Sequence, residues 1–462
     1  MNNLSLYIHI PFCIKKCNYC DFLSAACDEK TKQEYVNVLC FEMIQRAKQV
    51  KHKKVDTIFF GGGTPSVLSK EQITQIMSTV RKEFHILPEA EISMELNPGT
   101  VTGEKLETYQ KLGINRLSIG LQSADNEELR ILGRIHTWEV FLQTWNLVRE
   151  KGFTNVNIDL MSALPGQTLE SYECTLRKVL ALKPEHISAY SLIIEEGTKF
   201  YEWFGDDESG ADIKEEDKAV QSEDNIQEKS MESKNMEIKS KKLPDEITDR
   251  QMYDMTRELL KEHGYHRYEI SNYSLKGYEC KHNIGYWKRK EYLGLGLGAA
   301  SLISNVRSSN INNLTEYLKL GKNSKQKTFQ APEDRFEQKT FAIQEDRFEQ
   351  RNTEVKEDRL KKRNQETNVK IADTINWSME QEELSITEQM EEFMFLGLRM
   401  MEGVSLLEFE KQFGVPLEEV YGKQISKLEK QGLLELRKET GRYALTLQGI
   451  DVSNQVFVAF LN

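Results

Sequence analysis

The sequence predicts an α/β chain built as a partial (β/α)6 barrel, followed by a smaller α+β domain. Three observations carry that prediction. Short β-rich runs alternate with amphipathic helical stretches up to about Leu192. Cysteine, glycine and amide-rich turns fall immediately after those runs, where parallel α/β folds collect their chemistry. Beyond residue 384 the chain changes character, to helices followed by a hairpin.

Six strands are expected, at 7–10, 57–60, 91–95, 116–120, 155–160 and 186–191. Between the fourth and fifth, Trp138, Phe141, Leu142, Trp145 and Val148 share one helical face, the stripe of a helix packed on a sheet. Six β-α units imply a parallel sheet. The stretch 206–243 is dominated by Asp, Glu, Lys and Ser and holds too little apolar surface to offset its ordering entropy, so it is expected to be a disordered insertion. Order resumes near Pro244, where Met252, Met255, Leu259 and Leu260 mark a helix ending at Gly264. A second charged stretch, 321–377, repeats Glu-Asp-Arg-Phe-Glu-Gln at Glu333 and Glu345 and Glu-Asp-Arg at Glu357. Too few apolar residues recur there to build a solenoid, and the pattern reads as slipped-strand duplication. The last stretch predicts helices at 394–399, 406–413 and 417–431 and strands at 434–437 and 442–447, an order similar to a winged helix. The expected units are 1–205, the insertion 206–243, a completion of the barrel at 244–320, the insertion 321–377 and a winged-helix-like domain at 378–462.

With 462 residues, 39% hydrophobic and 29% charged, the chain reads as a soluble globular protein of two or three domains. A net charge of -11 argues against non-specific nucleic-acid binding. The 417–431 helix carries Glu418, Glu419 and Glu429 beside its lysines, which is not the basic bias that phosphates require. Leu4 to Ile10 is apolar but short and lacks a basic leader, and no later run is long enough to span a bilayer, so the cytoplasm is the expected compartment. The seven cysteines (13, 17, 20, 27, 40, 174 and 280) are odd in number and unevenly spread, unlike a disulfide framework.

Three of those cysteines carry the functional argument. Cys13, Cys17 and Cys20 follow the first strand in the run Tyr7-Ile-His-Ile-Pro-Phe-Cys-Ile-Lys-Lys-Cys-Asn-Tyr-Cys. Three thiolates from one loop can hold three irons of a [4Fe-4S] cube and leave the fourth open. An open iron can be chelated by a small molecule with an amine and a carboxylate, such as S-adenosylmethionine, which is the entry to radical chemistry. A structural zinc site, the alternative, wants four closed ligands, and a second short-spaced cysteine pair is missing.

The C-x3-C-x-Tyr-C spacing resembles the radical S-adenosylmethionine (radical SAM) signature, Tyr19 included, and its flank is similar to two related branches, the oxygen-independent coproporphyrinogen III oxidases and the HemW-type heme chaperones. The fold this implies is a partial (β/α)6 radical SAM barrel with the smaller winged-helix-like domain behind it. Gly61-Gly62-Gly63-Thr64-Pro65 after the second strand matches the family's GGGTP motif and would suit close approach to the cofactor's amino group, although such a triplet alone could be a tight turn. The resemblance implies cofactor contacts by Tyr7, Tyr19, Gly62, Gly63, Thr64, Glu95, Gln122, Arg134 and Asp159, with Arg134 suited to clamping a carboxylate. Gly294-Leu-Gly-Leu-Gly-Ala lacks the strand, helix and acidic partner of a dinucleotide site and looks like the family's glycine-rich strand beside the cofactor. His282, Asn283, Tyr286 and Trp287 match the H-N-x-x-Y-W motif of the chaperone branch, which implies heme contact, with His282 as an axial ligand and Cys280 as a second candidate. A histidine beside aromatics is also a common hydrogen-bonded core residue.

Two departures separate the branches. The oxidases carry a further cysteine two residues after the third, where this chain has Phe22, and an N-terminal arm that Tyr7 stands too near the start to follow. The expected function is therefore a heme chaperone that binds heme, a [4Fe-4S] cluster and S-adenosylmethionine and delivers heme to acceptor proteins, plausibly respiratory ones. Peripheral membrane contact would come through those acceptors. The alternative is oxidative decarboxylation of coproporphyrinogen III in porphyrin biosynthesis. A monomer and a cluster-dependent dimer are both open.

Overall fold

The computed structural model describes residues 3–205, 236–325 and 375–461. Its centre is a 12-stranded sheet in the order β12-β11-β10-β9-β1-β2-β3-β4-β5-β6-β8-β7. The six expected strands are all present and mutually parallel: β1 (Asn3–Ile10), β2 (Lys54–Gly62), β3 (His85–Leu96), β4 (Arg116–Gln122), β5 (Val156–Ser162) and β6 (His186–Ser191). The sheet as a whole is mixed rather than parallel. β9 (Tyr292–Leu295) runs parallel to β1, whereas β10 (Ala300–Ile303), β11 (Val306–Asn310) and β12 (Ser378–Glu383) extend that edge antiparallel. At the other edge β8 (Asn272–Ser274) and β7 (His266–Arg267) are antiparallel too, and the sheet does not close on itself.

The period-2 pattern of the central strands explains both the packing and the site. One face presents Leu6, Ile8, Ile58, Phe60, Ile92, Met94, Leu117, Ile119, Ile158 and Leu160, all essentially inaccessible and packed under the helices. Those helices include Glu29–Arg46, Lys70–Glu83, Trp138–Glu150 and Leu169–Leu182. The opposite face presents Tyr7, Thr57, Phe59, Glu91, Glu95, Arg116, Ser118, Asn157, Asp159, His186 and Ser188, so the concave interior is lined with hydrogen-bonding groups. A purely structural parallel sheet would be apolar on both faces.

The helix expected up to Gly264 is Glu246–Glu262, capped by Asp245. The C-terminal part has its own core around Phe409, Tyr421, Ile425, Leu428 and Phe460, with helices Ile386–Gly397, Leu406–Phe413 and Leu417–Lys430 and a sheet of β13 (Val404–Ser405), β15 (Arg442–Leu445) and β14 (Leu434–Arg437). It is tied to the main body by Glu392, which is buried between Arg289 and Arg307, each at 2.6 Å.

The charged stretches at 206–243 and 321–377 fall mostly outside the described residues, including the whole repeat. Where the first is described, its end is ordered: Ile238 is buried with Ile131, Leu132, Met161, Leu164 and Phe200, and Lys242 accepts the Gly166 N–H. At the end of the second, Trp377 is buried beside Tyr317 and Phe41 and donates to Gln45. Among the described residues no helix is long and apolar enough to cross a membrane.

Candidate active site

The cysteine loop leaves the C-terminal end of β1 and is held at both ends. Cys13 N–H donates to Ala25 O (3.1 Å), Ala25 N–H to Pro11 O (3.0 Å), and Asn18 N–H to Leu132 O (3.0 Å), so its path is fixed by backbone bonds to two neighbouring segments. Beneath it His9 bridges Tyr7 Oη (3.1 Å) and Leu23 O (3.0 Å). All three thiols are free and partly exposed. Burial, and then the neighbouring Cys17 and Cys13 sulfurs, push the Cys20 thiol up to about 11. Cationic charge brought beside Cys20, as iron would bring it, favours its thiolate. No three His, Cys, Asp or Glu side chains among the described residues are grouped as around a single metal ion. A cube, which takes each thiolate on a different iron, does not need them to be.

The glycine triplet is placed by this loop. Gly63 N–H donates to Ile10 O (2.9 Å) and Thr64 N–H to Phe12 O (2.8 Å), and a Cβ on Gly63 would lie 2.8–2.9 Å from backbone atoms of Ile10 and Phe12. The absence of a side chain thus lets the end of β2 lie directly against the cysteine loop. Those two N–H groups are engaged within the protein, while Gly62, at φ +106°, bonds Glu95.

Beside Cys17 a narrow crevice of about 20 Å³ is lined by Thr64, Asn97, Arg134, His136 and Ile14, among others. Arg134 crosses it, donating to Asn97 Oδ1 (2.7 Å), Gly120 O (2.5 Å) and Cys17 Sγ (3.5 Å), while its buried Nε has no partner. Thr64 Oγ1 lies 3.3 Å from Cys13 Sγ and accepts from Asn97 (2.8 Å). Burial, with help from the Arg134 charge, drives His136 down to about 3 and keeps it neutral. Deeper in, burial and then Asp159 raise Glu95 to about 8, and burial raises Asp159 despite bonds from Asn157 (2.6 Å) and Ser118 (3.3 Å). Two half-buried carboxyls this near each other favour a guest bearing hydroxyl or ammonium donors. Gln122, at φ +76°, accepts from Tyr190 (3.1 Å). Tyr7, Tyr19, Gly62, Gly63, Thr64, Glu95, Gln122, Arg134 and Asp159 thus gather at one end of the strands, on or below the cysteine loop. The arrangement fits a cluster carried by three thiols with a small zwitterion beside Arg134, whose Nη atoms are engaged by Asn97, Gly120 and Cys17 while its Nε is left for an incoming acceptor. Sequence reasoning did not single out Asn97, Ser118, Asn157 or Tyr190. Asn97 stands in the turn after the third strand, and the other three lie on the polar phase of their strands.

The H-N-x-x-Y-W residues lie elsewhere. Helix Lys281–Trp287 sits against the N-terminal half of the strands, its first turn capped by Glu91, which accepts from Lys281 N–H (3.1 Å) and His282 N–H (3.2 Å). His282 is 1% exposed. One ring nitrogen bonds Thr57 Oγ1 (2.9 Å), the other bonds Tyr286 Oη (3.0 Å), and the ring stacks on Phe59 at 5.1 Å. Burial, then Lys290 and Arg116, lower it to about 3. An iron at either nitrogen would have to displace one of these hydroxyls. Cys280 is fully buried, with its thiol pushed up to about 12 chiefly by burial. Asn283 and Tyr286 are half-buried, and the Trp287 indole faces the C-terminal part. Five strand residues separate Thr57 from Gly62, so this motif lies roughly 16 Å from the rim. Gly294 pairs beside Tyr7 in the β9–β1 ladder, consistent with a glycine-rich strand next to the cysteine-bearing one.

The Radical SAM superfamily model matches residues 7–179, and the HemN C-terminal domain model matches 384–452. The chain is 32% identical over 458 residues to heme chaperone HemW of Bacillus subtilis, covering 99% of each. It is 31% identical over 457 residues to heme chaperone HemW of Lactococcus lactis, covering 99% of this chain and 97% of that one. Among solved structures, coproporphyrinogen III oxidase (HemN) from Escherichia coli superposes with a TM-score of 0.71 at 22% identity, over 99% of this chain and 90% of that chain, which shows a common fold. A fold shared end to end, two matching domain models and full-length likeness to HemW proteins place this chain in the radical SAM superfamily, as a member of the HemW heme chaperone family.

Proposed function

We propose that the chain is a heme chaperone that binds a [4Fe-4S] cluster through Cys13, Cys17 and Cys20, binds S-adenosylmethionine beside Arg134, Glu95 and Asp159, and passes heme to acceptor proteins. Superfamily membership implies the cluster and S-adenosylmethionine. Heme follows the name of relatives that match this chain along its whole length, and that match is the observation on which the reading rests. The cluster would supply an electron to the sulfonium of its bound guest. The chain's own groups have separable tasks. Arg134 orients a carboxylate, neutral His136 narrows the cleft, and the Glu95–Asp159 pair accepts hydrogen bonds from the guest's donors. Phe22, 62% exposed on the cysteine loop, stands where the resemblance to the oxidases would put another cysteine. Respiratory acceptors, a cytoplasmic location and a cluster-dependent change between monomer and dimer belong to the same reading.

The test is anaerobic reconstitution with iron and sulfide, then heme titration followed by absorption and transfer to an apo-acceptor. Saturable heme binding without porphyrinogen turnover is expected. Stoichiometric carbon dioxide and protoporphyrinogen from coproporphyrinogen III would overturn it in favour of the oxidase. Tightly held zinc and no sulfide would overturn the cluster assignment.

A further inference from the structure

A cleft of about 670 Å³ lies between the main sheet and the C-terminal part, at the N-terminal end of β1 and away from the cysteine loop. Its floor comes from Trp287 and the turn 288–291, and its other wall from Phe393, Met400, Val404 and the helix Leu406–Phe413. Among the described residues three buried donors have no acceptor: Trp287 Nε1 and Arg289 Nη2 in the lining and, behind it, Nε of Arg399, whose guanidinium stacks 4.3 Å over the Trp287 ring. Unpaired buried donors are costly, and three around one cleft call for an acceptor-bearing guest. The mouth adds Lys288, Lys411 and Arg442, which with Arg289 and Lys290 outnumber the lining carboxylates Glu291, Glu402 and Glu408. Lys288 pairs with Glu402 at the surface, Arg442 is partly buried and bonds Glu408 and the Gly403 carbonyl, and among the described residues Lys411 has no ion pair.

We propose that this cleft is the binding site of a planar tetrapyrrole bearing carboxylate side chains. The macrocycle would lie against Trp287, Phe393, Met400 and Val404, with the carboxylates facing Lys288, Lys411 and Arg442. The inference rests on the heme reading above and gives it a location that does not require His282 to leave its hydrogen bonds. The apolar wall matches the ring, the basic groups at the mouth match the carboxylates, and the volume lies within the range of sites that take drug-sized ligands. The seven-residue climb of β1 from Asn3 to Ile10 puts the cleft roughly 23 Å from the cysteine loop. A guest held there is out of reach of radical chemistry at the cluster, which suits storage and transfer rather than conversion.

The experiment titrates the full-length chain with hemin, metal-free protoporphyrin IX and the dimethyl ester of protoporphyrin IX, following absorption and fluorescence. The variants are Lys288→Glu/Lys411→Glu, which touches only exposed side chains, and Gln412→Trp, which narrows the cleft from an exposed helix position. Loss of a charge-assisted contact weakens binding by roughly tenfold or more. The double variant is therefore expected to bind hemin at least about tenfold more weakly, with the loss carried over to protoporphyrin IX and much smaller for the ester. Gln412→Trp should weaken all three. Heme binding unchanged in both variants but abolished in His282→Ala would overturn the cleft and leave the heme reading intact. Binding of hemin but not of protoporphyrin IX would make iron ligation, not the cleft, the main determinant and would also overturn it. No hemin binding by the unaltered chain would overturn the heme reading itself, and the cleft assignment with it.

Discussion

Gly63→Ala tests whether the glycine triplet exists to seat the cysteine loop. The added Cβ would stand 2.8 Å from Phe12 O and 2.9 Å from Ile10 O and Phe12 N. These are backbone atoms fixed by the Gly63–Ile10 and Thr64–Phe12 bonds, so relief requires moving the loop or the end of β2, not rotating a side chain. Overpacking of this kind costs about 1–3 kcal/mol, and the upper half of that range applies where three rigid contacts fail together. At roughly 2–4 °C per kcal/mol for a domain this size, thermal unfolding of the cluster-free protein should fall by about 4–12 °C. Because Cys13 lies 3.3 Å from Thr64, the same movement should cut iron and acid-labile sulfide per chain after anaerobic reconstitution. Gly61→Ala is the control. There the Cβ would meet the ends of Phe59, Tyr7 and Glu95 at 3.0–3.2 Å, which are side chains able to shift, and the effect should be clearly smaller. Equal melting and full cluster content in Gly63→Ala would refute the close-approach argument.

Other expectations follow from the same geometry. Replacing Cys13, Cys17 or Cys20 by Ser should abolish the charge-transfer absorption of reconstituted protein, whereas the exposed Cys174→Ser should retain it; retention in any of the first three removes that residue from the ligand set. Glu95 has a folded-state value of about 8, raised above its unfolded one, so the folded cluster-free chain binds the extra proton and loses stability as pH rises from about 4.5 to 8. Glu95→Gln should flatten that part of the stability profile measured by urea unfolding, and an unchanged slope would show that the carboxyl is not perturbed. His282→Ala should destabilise by about 2–4 kcal/mol, since it leaves a cavity and strands the Thr57 and Tyr286 hydroxyls. A loss under about 0.5 kcal/mol, the size of an ordinary surface change, would mean that His282 is not part of the core. Arg289→Ala leaves buried Glu392 with Arg307 alone and should cost about 3–5 kcal/mol, loosening the C-terminal part as seen by hydrogen exchange in the helix Ile386–Gly397. Exchange unchanged in that helix would show that the clasp does not hold the two parts together.

The central strands and the reactive loop are legible in the order of residues alone. Local pattern suffices for both: β6 at His186–Ser191, β14 at Leu434–Arg437 and the helix Leu406–Phe413 have the expected limits, and three cysteines within eight residues must share one loop wherever the chain runs. Even the polar interior was written there, as the alternating phase of runs such as Glu91-Ile-Ser-Met-Glu95. Only the tertiary structure decided the sheet edges, because the two- to five-residue strands β7 to β11 carry too few residues to show a period, and β12, Ser378-Met-Glu-Gln-Glu-Glu, is almost wholly polar. It likewise separated the Cys13–Cys20 rim from His282, since opposite ends of a strand lie close in sequence but far apart in space. The three orphan donors of Trp287, Arg289 and Arg399 meet across more than a hundred residues, and whether a donor lacks an acceptor depends on all the chain folded around it.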